Sequence, residues 1–201
     1  MVQRELYHTR FIACMLLFVD LVWSCNSMHE TKIEIPGVYA DVNKERVEIK
    51  DGMTTAKGKI FSGIAYALYP GGDTALKIYY YNGKQVGMAE QWYRNRQIAE
   101  TRYYHEGRKT GIHRGWYADG KPKFVYHMKD DRFEGNVKEW YADGKLYLDF
   151  NYVNGQEEGM ERMYWTNGKI RANYQSVNGR KYGLTGVKNC VSVWSDSVSR
   201  H

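Results

Sequence analysis

Six glycines, Gly63, Gly87, Gly111, Gly135, Gly159 and Gly183, stand 24 residues apart. A fixed register of this length marks a repeat array, in which each unit is one supersecondary motif that buries its face only against its neighbours. Each glycine is followed five and six residues on by an aromatic pair: Trp92-Tyr93, Trp116-Tyr117, Trp140-Tyr141 and Tyr164-Trp165, with Leu68-Tyr69 in the first unit. Two turn dipeptides punctuate every unit. The first is Asp119-Gly120, Asp143-Gly144 or Asn167-Gly168, replaced by Gly71-Gly72 and Asn95-Arg96 in the first two units. The second is Asn82-Gly83, Glu106-Gly107, Asn154-Gly155 or Asn178-Gly179, with Asp130-Asp131 as the exception. Two strands and two turns per unit, in a chain with 18 Tyr, 6 Trp, 20 Gly and only 3 Pro, predict an all-β fold. The expected architecture is a single twisted antiparallel sheet of tandem β-hairpins, roughly ten short strands in all.

Asn-Gly and Asp-Gly favour two-residue type I′ turns. With that geometry at both turns, Tyr93 faces Ile98, Tyr117 faces Pro122, Tyr141 faces Leu146 and Trp165 faces Ile170 across the first hairpin. Across the second, Tyr126, Phe150 and Tyr174 fall opposite Gly135, Gly159 and Gly183, so the periodic glycine is expected to make room for a neighbour's ring. Residues two apart share a face of a strand. One face then collects Tyr141, Leu146, Leu148, Phe150 and Tyr152, with Phe124, Tyr126, Met128, Ile170, Ala172 and Tyr174 in other units, and is the expected buried side. The opposite face carries Trp92, Trp116 and Trp140, continued by Tyr164, among polar neighbours such as Lys123, Asp149 and Arg171. Repeats are two strands, or about 10 Å, apart, so these rings form a spaced row, the expected partner-binding surface. A single layer leaves one face uncovered, and rolling of the sheet or a homodimer would hide it.

The motif Gly-x4-Trp-Tyr-x-Asp-Gly-Lys and its period resemble MORN repeats, in particular the bacterial variant class named antitoxin-like. The resemblance spans residues 60 to 182 and is strongest in Tyr117-Ala-Asp-Gly-Lys121, Tyr141-Ala-Asp-Gly-Lys145 and Trp165-Thr-Asn-Gly-Lys169. The first unit departs from it at Leu68 and the second at Arg96. It implies a sheet of hairpins that serves as a binding or assembly platform.

Ahead of the repeats, Arg4 and Arg10 precede an apolar run from Phe11 to Val19, then Asp20 and Leu21-Val-Trp-Ser-Cys25. Basic, apolar, then small is the order of a secretory signal, and the run is only about half of the ~20 residues a spanning helix needs. Val22-Trp23-Ser24-Cys25 resembles the lipobox of bacterial lipoproteins, from which Trp23 and Asp20 depart. That resemblance implies cleavage after Ser24, acylation at Cys25 and anchoring by more than one acyl chain, as stable attachment requires. Asn26 stands where enteric lipoproteins carry the Asp that resembles an inner-membrane retention signal, which tilts the expected location to the outer membrane. The expected organisation is a signal peptide over 1–24, a tether and N-terminal capping strands over 25–59, five repeats over 60–182, and a capping strand and tail over 183–201. Within the second part, Lys32-Ile-Glu-Ile35 and Arg46-Val-Glu-Ile-Lys50, around Asp51-Gly52, are strand-like and are expected to cover an edge of the first repeat.

No constellation of catalytic residues stands out. His105, His113 and His127 fall at three phases of the repeat and form no row, and Glu157-Glu158 and Asp130-Asp131 sit at loop tips. Cys14, Cys25 and Cys190 lack metal-ligand spacing, so neither a metal nor a cofactor is expected. Cys190, flanked by Val191 and Val193, is expected to be buried, with an intermolecular disulfide or a redox or metal-relay role as the alternatives. The net charge of +6 is not concentrated in any basic block, which argues against nucleic acid. These features favour a non-enzymatic, lipid-anchored envelope protein that recognises a protein or a surface glycan through Trp92, Trp116, Trp140 and Tyr164. Two other readings stay open: a cytosolic protein that binds a toxin, as the class name suggests, and a module whose tryptophans and positive charge face anionic phospholipid.

Overall fold

The computed structural model describes residues 33–186, which form strands and turns without a helix. Chain order begins with β1 (Tyr39–Asp41), β2 (Val47–Lys50), β3 (Met53–Ala56) and β4 (Lys59–Ile60). The first repeat supplies β5 (Gly63–Leu68) and β6 (Thr74–Tyr81). The second gives β7 (Lys84–Gln85), β8 (Gly87–Trp92) and β9 (Ile98–His105); the third gives β10 (Arg108–Trp116) and β11 (Pro122–Lys129). The fourth gives β12 (Arg132–Trp140) and β13 (Leu146–Val153), and the fifth gives β14 (Gln156–Glu157), β15 (Gly159–Tyr164) and β16 (Ile170–Val177). A final strand, β17 (Arg180–Leu184), closes the described part. One 14-stranded sheet holds all of these except β2, β3 and β4. From β5 onward it is a meander of antiparallel hairpins in chain order, as the period predicts.

The N-terminal cap differs from expectation in detail. Residues 33–35 form no strand, and Pro36, which lacks an N–H, and Gly37 follow them. The first repeat's edge is instead covered by β1, paired parallel with β5 (Ala40 beside Ala65). The segment around Asp51-Gly52 does form the expected hairpin, yet β2, β3 and β4 make a separate three-stranded sheet. Small Ala40 and Ala65 leave space for the rings of Phe61 and Tyr80, 5.8 Å apart, and these four residues form the cap's buried core.

The two turns of each unit obey different rules. At the second turn both residues are left-handed, as in Asn154 (φ 51°) and Gly155 (φ 81°), and even Asp130 (48°) and Asp131 (65°) comply. These are type I′ hairpins, as predicted. In the second to fifth units only one residue of the first turn is left-handed, Arg96, Gly120, Gly144 or Gly168, whereas in the first unit both Gly71 and Gly72 have positive φ. Tyr117 N donates to Lys121 O (2.8 Å) and Gly120 N to Tyr117 O (2.9 Å), which makes a three-residue loop closed by a glycine bulge. Asp119 stays right-handed because its Oδ1 accepts the Lys121 N–H at 3.1 Å. The register therefore shifts by one from the expected pairing. Trp92 faces Ile98, Trp116 faces Pro122, Trp140 faces Leu146 and Tyr164 faces Ile170, with a further register shift immediately before each of these aromatic residues.

The periodic glycines also have another task than the one the sequence suggested. Gly87, Gly111, Gly135 and Gly159 sit at positive φ (68°, 69°, 90° and 107°), where pairing between repeats is interrupted. Tyr126 consequently faces Val137 rather than Gly135, and Gly159 pairs with Ser176. At Gly87 and Gly135 no ring fills the space: a Cβ on Gly87 would meet nothing within 4 Å, and one on Gly135 only His127 Cβ at 3.8 Å, whereas at Gly63 it would meet the Phe61 ring at 3.0 Å and at Gly111 Tyr103 Cγ at 3.9 Å. The expected pairing survives at the end of the array, where Tyr174 faces Gly183. A ring does cover a glycine at Gly115, outside the periodic set, where a Cβ would lie 2.2 Å from the Phe124 ring.

Candidate functional site

The aromatic pairs stitch one repeat to the next. The Tyr69 hydroxyl donates to the Trp92 carbonyl (2.7 Å), Tyr93 to Trp116 (2.9 Å), Tyr117 to Trp140 (2.7 Å) and Tyr141 to Tyr164 (2.8 Å). The second member of each of the first four pairs is thus a staple, and the first member of the next pair supplies its acceptor. The ladder has distinct ends. At the first repeat, Leu68 O accepts from Asn43 Nδ2 at 3.3 Å, a side chain that stands in for the tyrosine of a preceding unit. At the fifth, Trp165 replaces tyrosine and carries no hydroxyl; it is 48% exposed, with the Arg171 guanidinium 4.7 Å from its ring centroid. The opposite ends of the hairpins are laced too, by Gly83 N to Phe61 O (2.7 Å), Gly107 N to Gln85 O (2.8 Å), Asp131 N to Lys109 O (3.0 Å) and Gly155 N to Phe133 O (2.9 Å). Trp92, Trp116, Trp140 and Tyr164, the residues of the expected binding row, supply the acceptor carbonyls of this ladder, and each is half-buried.

The other face holds the more deeply buried side chains, among them Phe124, Phe150, Ala172 and Tyr174, as expected, joined by Val137, whereas Ile170, also expected there, is exposed. Its rings touch in sequence: Phe124 stacks on Tyr126 (4.4 Å), Tyr126 meets Phe133 edge-on (5.3 Å), Phe133 meets Tyr152 (5.1 Å) and Phe150 meets Tyr174 (5.9 Å). Polar groups break this face at set places. Two residues beyond the first five periodic glycines lie Ala65, Ala89, His113, Val137 and Glu161, so a histidine and a glutamate occupy slots that alanine and valine fill elsewhere. His113 is buried, with Nε2 within 3.0 Å of Tyr103 O and 3.1 Å of Thr110 O, and its burial lowers its pKa. Glu161 is wholly buried: one oxygen accepts the Asn151 N–H at 2.9 Å while Oε1 has no partner, and burial lifts the carboxyl pKa to about 7. Nearby, Glu157 accepts from the Tyr174 hydroxyl (2.8 Å) and from Lys181 (2.7 Å). Burial together with the hydrogen bond to Glu157 pushes the Tyr174 phenol up to about 12.

In the second repeat the same face turns polar and hollow. Glu100 and Arg102 form an ion pair whose side chains are 22% and 30% exposed, and they border a cavity of about 310 Å³ that Leu76, Ile78, Gln91 and Tyr104 also line. The remaining histidines are dispersed as the sequence indicated: His105 is exposed, and His127 Nδ1 lies 2.6 Å from Asn136 O. No group of three His, Cys, Asp or Glu among the described residues could hold a metal ion. Cys14, the proposed lipidation site Cys25, and Cys190 lie outside the described residues. Sequence reasoning missed the staple, the buried Glu161 and the polar hollow. Aligning the units slot by slot exposes the last two, since Glu100, Arg102 and Glu161 then stand against apolar residues.

No family model matches the chain, and no curated protein does. Among solved structures the chain is similar to the crystal structure of the GtfA/B complex bound to UDP and GlcNAc, with 11% identity and a TM-score of 0.23 over 75% of this chain. The chain spans 29% of the length of that chain.

Proposed function

We propose that this chain is a non-enzymatic binding platform of the MORN-repeat type, exported and held at the bacterial cell envelope by a lipid on Cys25, and that a protein or glycan partner engages its repeats. The observation that supports the platform reading is the tyrosine ladder, with hydroxyl-to-carbonyl bonds of 2.7–2.9 Å that tie each repeat to the next. Such ties set the repeats at fixed spacing, and a fixed, repeated surface suits recognition of an extended partner. Trp92, Trp116, Trp140 and Tyr164 supply aromatic surface at that spacing, and aromatic residues are the usual anchors of an interface.

The test is intact mass and detergent partitioning of the expressed full-length chain beside a Cys25→Ser variant. A detergent-phase species that begins at Cys25 and carries acyl mass is the expected result, lost in the variant. A water-soluble chain still beginning at Met1 would overturn the envelope assignment and make a cytosolic protein partner the leading reading. Crosslinking in intact cells then examines the row, and Trp116→Ala/Trp140→Ala is expected to abolish the partner adduct of the parent chain.

A further inference from the structure

The hollow in the second repeat is a departure from the repeat's own rule. Where the first, third, fourth and fifth units hold Leu76, Phe124, Leu148 and Ala172, the second holds Glu100. Where they hold Ile78, Tyr126, Phe150 and Tyr174, it holds Arg102. Register confirms the equivalence: Gln91 faces Glu100 and Ala89 faces Arg102, as Glu139 faces Leu148 and Val137 faces Phe150. Apolar residues at these two slots would continue the packed face, so a charged pair there sacrifices apolar contact and opens the 310 Å³ cavity.

The chemistry of the hollow narrows what fits it. Glu100 and Arg102 neutralise one another, so an anionic ligand would have to displace Glu100 and a cationic one Arg102. Their heads place an acceptor beside a donor, and the Gln91 amide offers both. A hydroxyl can accept from a guanidinium while donating to a carboxylate, and two neighbouring hydroxyls can engage both heads of such a pair. The half-buried Tyr104 ring and the side chains of Leu76 and Ile78 add apolar surface for C–H groups. An extended peptide is disfavoured, because β6, β8 and β9 are each paired on both sides and leave no free strand edge to add to. The volume stands near the lower end of the roughly 300–1,000 Å³ of small-ligand sites, a size for a short stretch of glycan and not for a folded partner.

The geometry points to a saccharide-binding site between the first and second repeats, taking a neutral sugar with vicinal hydroxyls through Glu100, Arg102 and Gln91. This rests on the platform reading and names a ligand class and a place for it.

The experiment titrates the full-length chain with cellohexaose, chitohexaose and maltohexaose by calorimetry, and repeats the titration with two variants. Glu100→Leu/Arg102→Ile restores the first repeat's residues and fills the hollow, so it should fold; thermal melting checks that it does. Trp116→Ala/Trp140→Ala alters the aromatic row and leaves the hollow alone. Saturable binding of at least one saccharide is expected, weakened about tenfold or more by filling the hollow, since lost hydrogen bonds to a hydroxyl are discriminating. Binding is expected to persist in the tryptophan variant. Equal binding by the filled variant, or no saturable binding of any of the three sugars, overturns the site. Neither result touches the platform reading, which stands or falls on the mass, partitioning and crosslinking results. Glu100→Gln, which keeps size and hydrogen-bonding capacity, is expected to bind more tightly than the filled variant; if it binds no better, the assigned role of the Glu100–Arg102 pair fails.

Discussion

Glu161 occupies a slot that Ala65, Ala89 and Val137 fill elsewhere, and one of its oxygens is buried without a partner. Burial favours the protonated carboxyl and raises its pKa from 4.5 to about 7 in the folded chain. Below pH 4.5 both folded and unfolded chains carry the proton, and the group does not oppose folding. As pH rises toward 7 the unfolded chain releases it first, so the contribution to stability falls and is fully lost above the folded-state value. The cost at pH 8 is about 3 kcal/mol. Glu161→Gln keeps an acceptor for the Asn151 N–H without the charge. Its melting temperature is expected to match the parent at pH 4.5 and to exceed it at pH 8; parallel melting curves across that range would refute the assignment. His113 acts in the opposite sense, since burial lowers its pKa and its contribution is lost as pH falls below the unfolded-state value of 6.5. The comparison must therefore be made between variant and parent at each pH.

At the scale of strands and turns, two glycines separate backbone strain from packing. Gly135 sits at φ 90° in an open bulge, where a Cβ meets only His127 Cβ at 3.8 Å. Gly135→Ala is expected to lose about 1–2 kcal/mol in urea unfolding, from backbone conformation alone. Gly115 has no left-handed requirement but lies under the Phe124 ring, 2.2 Å from where a Cβ would stand. Gly115→Ala is expected to cost more, because overpacking forces the ring aside. Phe124→Leu should recover part of that loss and none of the loss at Gly135. Equal rescue of both would show that the two glycines do the same job.

For the array as a whole, stability is a sum of repeat terms and of terms between neighbours. Each tyrosine staple is one neutral hydrogen bond to a carbonyl, worth about 1 kcal/mol net. Tyr93→Phe and Tyr117→Phe are each expected to lose about that much. The combined Tyr69→Phe/Tyr93→Phe/Tyr117→Phe variant is expected to lose cooperativity as well, with hydrogen exchange quickening at Trp92, Trp116 and Trp140 ahead of global unfolding. A single sharp transition with unchanged exchange at those positions would rule the ladder out as the coupling between repeats. The asymmetry of its ends, Asn43 at one and Trp165 at the other, means that substitution of Asn43 should loosen the first repeat selectively.

Much of this was written in the chain's local pattern. The 24-residue period, the hairpin order, the type I′ geometry of the second turns and the apolar face with Phe124, Phe150 and Tyr174 all follow from alternation and turn chemistry, which act over a few residues. The first turns were not legible in the same way. Asp-Gly and Asn-Gly accommodate either two left-handed residues or one, and the choice fell to the Asp or Asn side chain capping Lys121, Lys145 or Lys169 within the turn and to ties with the next loop, such as Lys145 Nζ to Thr166 O (3.0 Å). That choice moved the register by one residue. The glycines' role, the tyrosine staple to a carbonyl 23 residues away and the hollow beside Glu100 depend on which strands lie side by side. Sequence by itself determined that the chain is a row of hairpins with one buried face. Only the tertiary structure decided how the hairpins lock together, because the bonds that lock them join residues no local rule pairs.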